Sequence, residues 1–115
     1  MSKTYQMNLA DIPFSLIESG KKRIEIRLCN KDRGDIVPGD LIVFDNDKKD
    51  YKLVCEVISV SRFKDFHELY NHFPKEMLGY LDSEKASPDD MLIYYKRDDI
   101  NKYGVLGIEI KLINK

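Results

Sequence analysis

The chain has 115 residues, which is enough for one hydrophobic core and too few for two independent ones. Its composition is 43% hydrophobic and 34% charged, as in ordinary globular proteins, and its formal net charge is -1. This balance excludes a polycation that binds nucleic acid or acidic membranes indiscriminately, so any affinity for phosphate must come from local charge. We expect a single domain over residues 1–115.

The first half of the chain alternates between strand patterns and one short helix. Asp11 and Pro13 suit the start of that helix, and Gly20 suits its end. The turn composition of Val37–Asp40 leads into an apolar run, and Asp45–Asp50 is polar enough for a hairpin tip. The predicted elements are strand Tyr5–Leu9, helix Ala10–Ser19 and strands Ile24–Leu28, Leu41–Phe44 and Tyr51–Val60.

The second half is more helical and ends in a closing strand. Asp65–Tyr70 predicts a short helical turn. Ser87 as a cap, Pro88 in the first helical position and two acids behind it predict a helix that runs to about Asn101. Val105–Ile113 is the last predicted strand. The fold is therefore predicted to be mainly β with inserted helices, of α+β character: a closed or nearly closed barrel of about five to six strands.

Charge is concentrated where Gly20 leads into the strand Ile24–Leu28. Because alternate residues of a strand face opposite sides, the three apolar residues share one face and Glu25 and Arg27 share the other, which we expect to be the outer one. The strand pattern recurs at Gly107–Leu112 without the cations, as ordinary barrel wall. Gly20–Arg33 holds two acids against six cations, namely Lys21, Lys22, Arg23, Arg27, Lys31 and Arg33.

Tyrosines near the C-terminus give a second candidate feature. Tyr94, Tyr95 and Tyr103 lie close to lysines and arginines, and rings interleaved with cations can stack bases while holding phosphate. The alternative is packing at the boundary of helix and barrel. Adjacent helical residues face different directions, so we expect at most one of Tyr94 and Tyr95 to line a site.

Metal and cofactor chemistry finds no support in the sequence. His67 and His72 are five residues apart and share no helix face, so we predict no metal site, and no motif suggests a cofactor. Cys29 and Cys55 lack a CxxC spacing, which suits small buried thiols in a reducing compartment. We expect a cytoplasmic protein, because no apolar run is long enough to span a bilayer.

Lys22 is a candidate base. Held among cations and barrel walls, it would have a lowered pKa and could act as a base, with Glu25 or Glu76 as the nearest carboxylate.

Several short motifs follow one another along almost the whole chain. They are Pro13-Phe14, Ile17, Gly20–Arg27, Pro38–Phe44 and Tyr103–Ile108. In this order they resemble the ASCH domain, a branch of the PUA-like β-barrels. The resemblance implies a pseudo-barrel whose basic cleft, at Gly20–Arg27, holds RNA or a nucleotide.

The resemblance implies that the partner is RNA, a nucleotide or a nucleoside. We expect no membrane binding and no sequence-specific recognition of DNA. Glu25 would orient Arg27, and one tyrosine would stack on a base. The oligomeric state stays open. The ligand-binding candidates are Lys21, Lys22, Glu25, Arg27, Arg33, Tyr95 and Tyr103.

A second alternative comes from small bacterial members of the family that remove the acetyl group of N(4)-acetylcytidine with a lysine, a threonine and a glutamate. Lys22 stands at the lysine position, Glu25 at the threonine position and Glu76 is the candidate glutamate. Because Glu25 has no hydroxyl, hydrolysis here would need a water activated by Lys22 or Glu25. A third alternative is an accessory interaction domain with no ligand in its cleft.

Overall fold

The computed structural model describes residues 2–30 and 35–115, in which one five-stranded sheet is surrounded by short helices. The five strands lie where the sequence patterns predicted them. The strands are β1 (Thr4–Asn8), β2 (Ile24–Leu28), β3 (Leu41–Asp45), β4 (Leu53–Phe63) and β5 (Val105–Asn114). The helices are α1 (Asp11–Glu18), α2 (Phe66–His72), a 3₁₀ helix (Pro88–Ile93) and α3 (Arg97–Tyr103).

The sheet is curled into a half-barrel with strand order β1-β3-β4-β5-β2. β1 and β3 are parallel, and the other neighbours are antiparallel. β4 shifts register between Val57 and Ser59, so Ile58 is an extra residue of the kind that bends a strand and increases its twist. The predicted mainly β, PUA-like pseudo-barrel with short helices is confirmed.

Apolar side chains form two clusters, one on each face of β5. Leu106 and Ile108 belong to the first cluster, together with Phe14 and Ile17 of α1. Val105 belongs to the second cluster, with the apolar residues of β2 and with residues of α2 and α3. Helices therefore cover both faces of the curled sheet.

The prediction that Glu25 and Arg27 lie on an outer face was wrong. The strand alternates as expected, and its apolar residues pack into the second cluster. The opposite face is also covered, so that the side chains of Glu25 and Arg27 are only 4% and 12% exposed. Alternation shows which residues share a face but not whether other segments cover that face.

The single helix predicted from Pro88 to Asn101 was also wrong. The Ser87 side chain does accept a hydrogen bond from the backbone of Asp89, as predicted for a cap. The 3₁₀ helix that follows ends at Ile93, and α3 begins after an extended Lys96. The break falls at Tyr95, whose ring stacks on Phe66 at 6.0 Å, so tertiary packing outweighs the weak helix preference of this segment. No helix in residues 2–30 and 35–115 is long and apolar enough to cross a membrane.

Candidate functional site

A cavity of about 530 Å³ opens between α1, β2 and the segments that follow α2. Its volume is in the range of small-molecule sites, and most of its lining is apolar, as such sites usually are. We call it the Lys22 cavity. Its polar or aromatic lining residues are Asn8, Lys22, Glu25, Arg27, Tyr70, Tyr80, Glu84, Asp90, Tyr94 and Tyr95.

The end of α1 turns Lys22 into this cavity. Gly20 has a φ of 82°, a left-handed conformation that favours glycine and ends the helix. The backbone N–H groups of Lys21 and Lys22 then both donate to the carbonyl of Leu16, at 3.0 Å each. This tight turn leaves Lys21 exposed and Lys22 buried.

Lys22 is a buried cation with two protein acceptors. Its Nζ donates to the carbonyl oxygen of Leu78 at 3.2 Å and lies 3.6 Å from Oε1 of Glu25. Burial lowers the pKa of Lys22 below its ordinary value, and the charge of Glu25 opposes this shift only in part. Lys22 is therefore the cation of the cavity that most readily gives up its proton.

Both carboxylate oxygens of Glu25 are occupied. Oε2 accepts from Nε of Arg27 at 2.8 Å and lies 2.7 Å from its Nη2. Oε1 accepts from the backbone N–H of Ile26 at 3.2 Å and faces Lys22. Nη2 of Arg27 also donates to the carbonyl of Asn8 at 3.3 Å, which ties the group to β1. Glu25 thus orients two cations.

A second polar group lines the same cavity and consists of Tyr70, Tyr80 and Asp90, which we call the tyrosine chain. The hydroxyls of Tyr70 and Tyr80 are 2.9 Å apart, and Tyr80 donates to Oδ2 of Asp90 at 2.7 Å. Burial raises the pKa of both tyrosines, and for Tyr80 the hydrogen bonds with Tyr70 and Asp90 raise it further. The tyrosine chain joins α2, the segment after it and the 3₁₀ helix.

Large apolar side chains at the cavity remain exposed to solvent. Ile12 is 73% exposed, Ile93 is 79% exposed and Tyr94 is 61% exposed, although all three line the cavity. Leu81, at 50%, is a further member of this group. Exposed apolar and aromatic groups around an opening suit the flat faces of a ring-shaped ligand.

The lining formed by the described residues is not basic, so the expectation of a basic cleft at Gly20–Arg27 is not confirmed. The described charged residues that line the cavity are the cations Lys22 and Arg27 and the acids Glu25, Glu84 and Asp90. The segment Asp82–Asp90, which holds four acids and one lysine, thus supplies Glu84 and Asp90 to the same cavity as a nominally basic motif. Attraction of phosphate by a broad positive field is therefore not a property of the described lining.

Four of the predicted site residues come together in the cavity: Lys22, Glu25, Arg27 and Tyr95. Lys21 and Glu76 are exposed and do not line it. Tyr103 is 40% exposed, with Nζ of Lys102 5.1 Å from its ring centre, and does not line it either. Arg33 lies outside the described residues.

One expectation about aromatic residues was wrong, and two further tyrosines of the cavity were missed. Tyr94 and Tyr95 both line the cavity, because the helix on which they were expected to diverge ends before them. Tyr70 and Tyr80 were not predicted at all, since neither lies in a recognisable motif or beside the basic turn. A weak signal existed in the acidic character of Asp82–Asp90, which contributes Glu84 and Asp90. Among the described residues, no group of histidines, cysteines and acids is arranged to hold a metal ion.

Solved structures similar to this chain share its fold over almost its whole length. The hypothetical protein PH0355 is 31% identical, covers 96% of this chain and 99% of its own, and has a TM-score of 0.79. Protein PF0455 from Pyrococcus furiosus is 31% identical over 97% of this chain and 99% of its own, with a TM-score of 0.69. A comparison with curated proteins gave no match.

A more distant similarity carries a family name. The ASCH domain from Lactobacillus crispatus is 21% identical, covers 96% of this chain and 79% of its own, and has a TM-score of 0.59, which supports the fold alone. The family model of the ASCH domain matches residues 7–114. The resemblance inferred from the motifs is thereby confirmed, and the chain belongs to the ASCH domain family.

Proposed function

We propose that this chain binds RNA, or a nucleotide or nucleoside, by taking one base into the Lys22 cavity. The observation that carries the proposal is a cavity with an apolar and aromatic lining that also contains the buried group of Lys22, Glu25 and Arg27. A base has apolar faces and a polar edge, and this lining offers both surfaces. We place the protein in the cytoplasm, because its two cysteines are unpaired.

In this proposal Lys22 and Arg27 donate hydrogen bonds to the base, and Glu25 holds both donors in place. Holding them in advance limits the conformational entropy that binding would otherwise cost. Tyr95, already stacked on Phe66, and the exposed Tyr94 provide ring surfaces for the base. Base–aromatic stacking contributes about 1–3 kcal/mol per base.

Calorimetric titration with nucleosides, nucleoside monophosphates and short single-stranded RNA tests this function. We expect saturable binding of the single nucleoside, because the cavity holds the base rather than the backbone. The salt dependence for RNA should be shallow, with a slope of about -0.7 for each phosphate contacted and few contacts in total. A slope of about -3 or steeper would place the binding on an exposed basic surface instead.

Variants locate the binding. Lys22→Met together with Arg27→Met should abolish nucleoside binding, because both cationic donors to the base are removed. Lys111→Met is the matched control, since Lys111 is exposed on β5 and does not line the cavity. Binding that survives the double substitution, or that Lys111→Met weakens equally, contradicts the proposal.

Lys21 remains a candidate for phosphate contact outside the cavity. Because it is exposed beside Lys22, it could meet the backbone of a bound RNA but not a single nucleoside in the cavity. Lys21→Ala should therefore weaken RNA binding by a salt-dependent factor and leave nucleoside binding unchanged.

The second candidate function is hydrolysis of an acylated nucleoside, and the lowered pKa of the buried Lys22 favours it. Neutral Lys22 would take a proton from a water as the water oxygen bonds to the acyl carbon. The proton would then pass to the leaving nitrogen as the C–N bond breaks, which releases a carboxylic acid and the free amine. Glu76 has no part in this scheme, because it is exposed away from the cavity lining.

Incubation with N(4)-acetylcytidine and chromatographic detection of cytidine tests this activity. Product that disappears with Lys22→Met and persists with Glu76→Gln supports it. Product formation that is absent, or that is indifferent to Lys22→Met, excludes it.

A further inference from the structure

The tyrosine chain gives the cavity a wall that can only accept hydrogen bonds. Each tyrosine hydroxyl carries one proton. Tyr80 donates its proton to Asp90 at 2.7 Å, so its oxygen must be the acceptor in the 2.9 Å contact with Tyr70. The proton of Tyr70 is therefore also used. Both hydroxyls face any ligand with lone pairs alone, and a carboxylate has no proton to offer.

The same loop adds another acceptor. Oε1 of Glu84 accepts from the backbone N–H of Leu81 at 2.7 Å, and Glu84 is a lining residue of the cavity as well. Phosphate, which is itself an acceptor and negatively charged, has no favourable partner on this wall. A group with N–H bonds does.

The other polar wall, formed by Lys22 and Arg27, can only donate hydrogen bonds. Lys22 and Arg27 carry N–H groups and no acceptor while they are charged. The carboxylate of Glu25, the acid beside them, is already occupied by both cations and by the backbone of Ile26. Nη1 of Arg27 has no hydrogen-bond partner among the described residues, so a donor remains for a ligand.

From this polarity we propose that the cavity selects bases with an exocyclic amine and discriminates against the corresponding keto bases. The amine N–H groups would face Tyr70 and Asp90, and a ring nitrogen or carbonyl of the base would face Lys22 or Arg27. This inference rests on the proposed function, because it names the ligand class of that same site. Tyr70, Tyr80 and Asp90 are its specificity-determining residues.

Two matched pairs of nucleosides test the selection: adenosine against inosine, and cytidine against uridine. In each pair an amine is replaced by a keto oxygen and the adjacent ring nitrogen changes from an acceptor to an N–H donor, at nearly constant size and shape. The keto base would thus turn an acceptor toward the accepting wall and an N–H toward the donating wall. We expect the amino member to bind about tenfold or more tightly in at least one pair, the effect of a hydrogen bond to a charged or polarised acceptor. Titration calorimetry or the amide shifts of the labelled protein would measure the ratio.

Substitutions test whether the tyrosine chain causes the preference for amino bases. Tyr80→Phe removes the hydroxyl that accepts the proton of Tyr70, so Tyr70 becomes able to donate to a keto oxygen. The amino-to-keto preference should then fall toward one or reverse, and Asp90→Asn should reduce it because the amide can also donate. Tyr103→Phe is the control, since Tyr103 does not line the cavity.

The possible outcomes distinguish a failure of the amino-base selection from a failure of the proposed binding function. If both members of each pair bind equally, and Lys22→Met still abolishes binding, the function stands and the selection is wrong. A preference that is unchanged in Tyr80→Phe and in Asp90→Asn also overturns the selection. If no nucleoside and no RNA binds the wild-type chain, the proposed function fails and the selection fails with it.

Discussion

Nζ of Lys22 lies 3.6 Å from Oε1 of Glu25, although the two side chains are only 9% and 4% exposed. Removing two charges from water is unfavourable, and such a pair is often no more stable than apolar residues of the same size. Burial of this pair is therefore weak evidence for a role in stability, and its proposed role in ligand binding needs a separate test. This distinction can be measured, because the two members of the pair should respond differently to substitution.

Glu25→Gln should destabilise the fold by about 3 kcal/mol. This value is near the lower end of the range for breaking a buried ion pair, because the amide oxygen of glutamine still accepts one hydrogen bond. Lys22 and Arg27 would be left without their counter-charge. Urea denaturation followed by circular dichroism measures the free energy of unfolding.

Glu76→Gln is the control for Glu25→Gln, since Glu76 is exposed and its substitution should change the free energy of unfolding by less than about 0.5 kcal/mol. Equal effects of the two substitutions would contradict the central position of Glu25 in the cation group.

Lys22→Met should change stability by less than about 1 kcal/mol, because it removes a buried charge while Arg27 continues to pair with Glu25. Ligand binding should nevertheless be lost. A large loss of stability would show instead that Lys22 is a structural residue, and the same denaturation and titration experiments decide between the two.

The pH dependence of stability offers an independent check on Lys22. Its pKa in the folded protein is lowered from the ordinary 10.5. Between the lowered value and 10.5 the unfolded chain binds more protons than the folded one, so this group makes the free energy of unfolding rise with pH. The penalty of burying the charged form is thus relieved as pH increases.

The difference in unfolding free energy between wild type and Lys22→Met isolates that contribution. The difference should increase in favour of the wild type as pH rises above the lowered pKa of Lys22 toward its ordinary value of 10.5. The tyrosine chain acts in the opposite direction at higher pH but is present in both proteins and cancels. A difference that stays constant over this window contradicts a lowered Lys22 pKa.

Much of the fold followed from local patterns. The strands were located because alternation and turn composition are short-range properties, and the order of short motifs from Pro13 to Ile108 indicated the family. The site was located in part for the same reason. Lys22, Glu25 and Arg27 are neighbours in sequence, so no long-range contact was needed to place them together.

The remainder of the site depends on contacts between distant segments. Tyr70 and Asp90 meet through Tyr80, and each comes from a separate element that sequence periodicity cannot orient. The burial of Glu25 depends on other segments covering the second face of β2, and strand alternation says nothing about coverage. The expected basic character of the cleft was not confirmed for a related reason, because charge was counted along the chain and not across the cavity.

Thiol reactivity should differ between the two cysteines. Cys55 is fully buried, and burial raises its pKa to about 12, so it stays protonated and inaccessible in the native state. Cys29 is half-buried, with Nη1 of Arg62 3.0 Å from its Sγ. At pH 8 a thiol reagent should modify Cys29 in the folded protein and Cys55 only after unfolding. Cys55→Ser, tested alongside, should leave the native reaction unchanged.

Gly79 is where the loop after α2 meets the aliphatic part of Lys22. Its φ is +102°, and a Cβ there would lie 3.3 Å from Cδ of Lys22. Gly79→Ala therefore introduces backbone strain of about 1–2 kcal/mol and pushes on the lysine as well. We expect lower stability, a displaced Lys22 and weaker nucleoside binding.

Gly39 provides the matched control for Gly79, because its φ is +94° and a Cβ there would meet no atom within 4 Å. Gly39→Ala carries the same kind of backbone strain without touching the cavity. The two variants should lose similar stability, while only Gly79→Ala shifts the NMR signal of the Lys22 side chain and lowers affinity. Equal affinities in the two variants would mean that the position of Lys22 does not determine binding, and the donor wall would then rest on Arg27 alone.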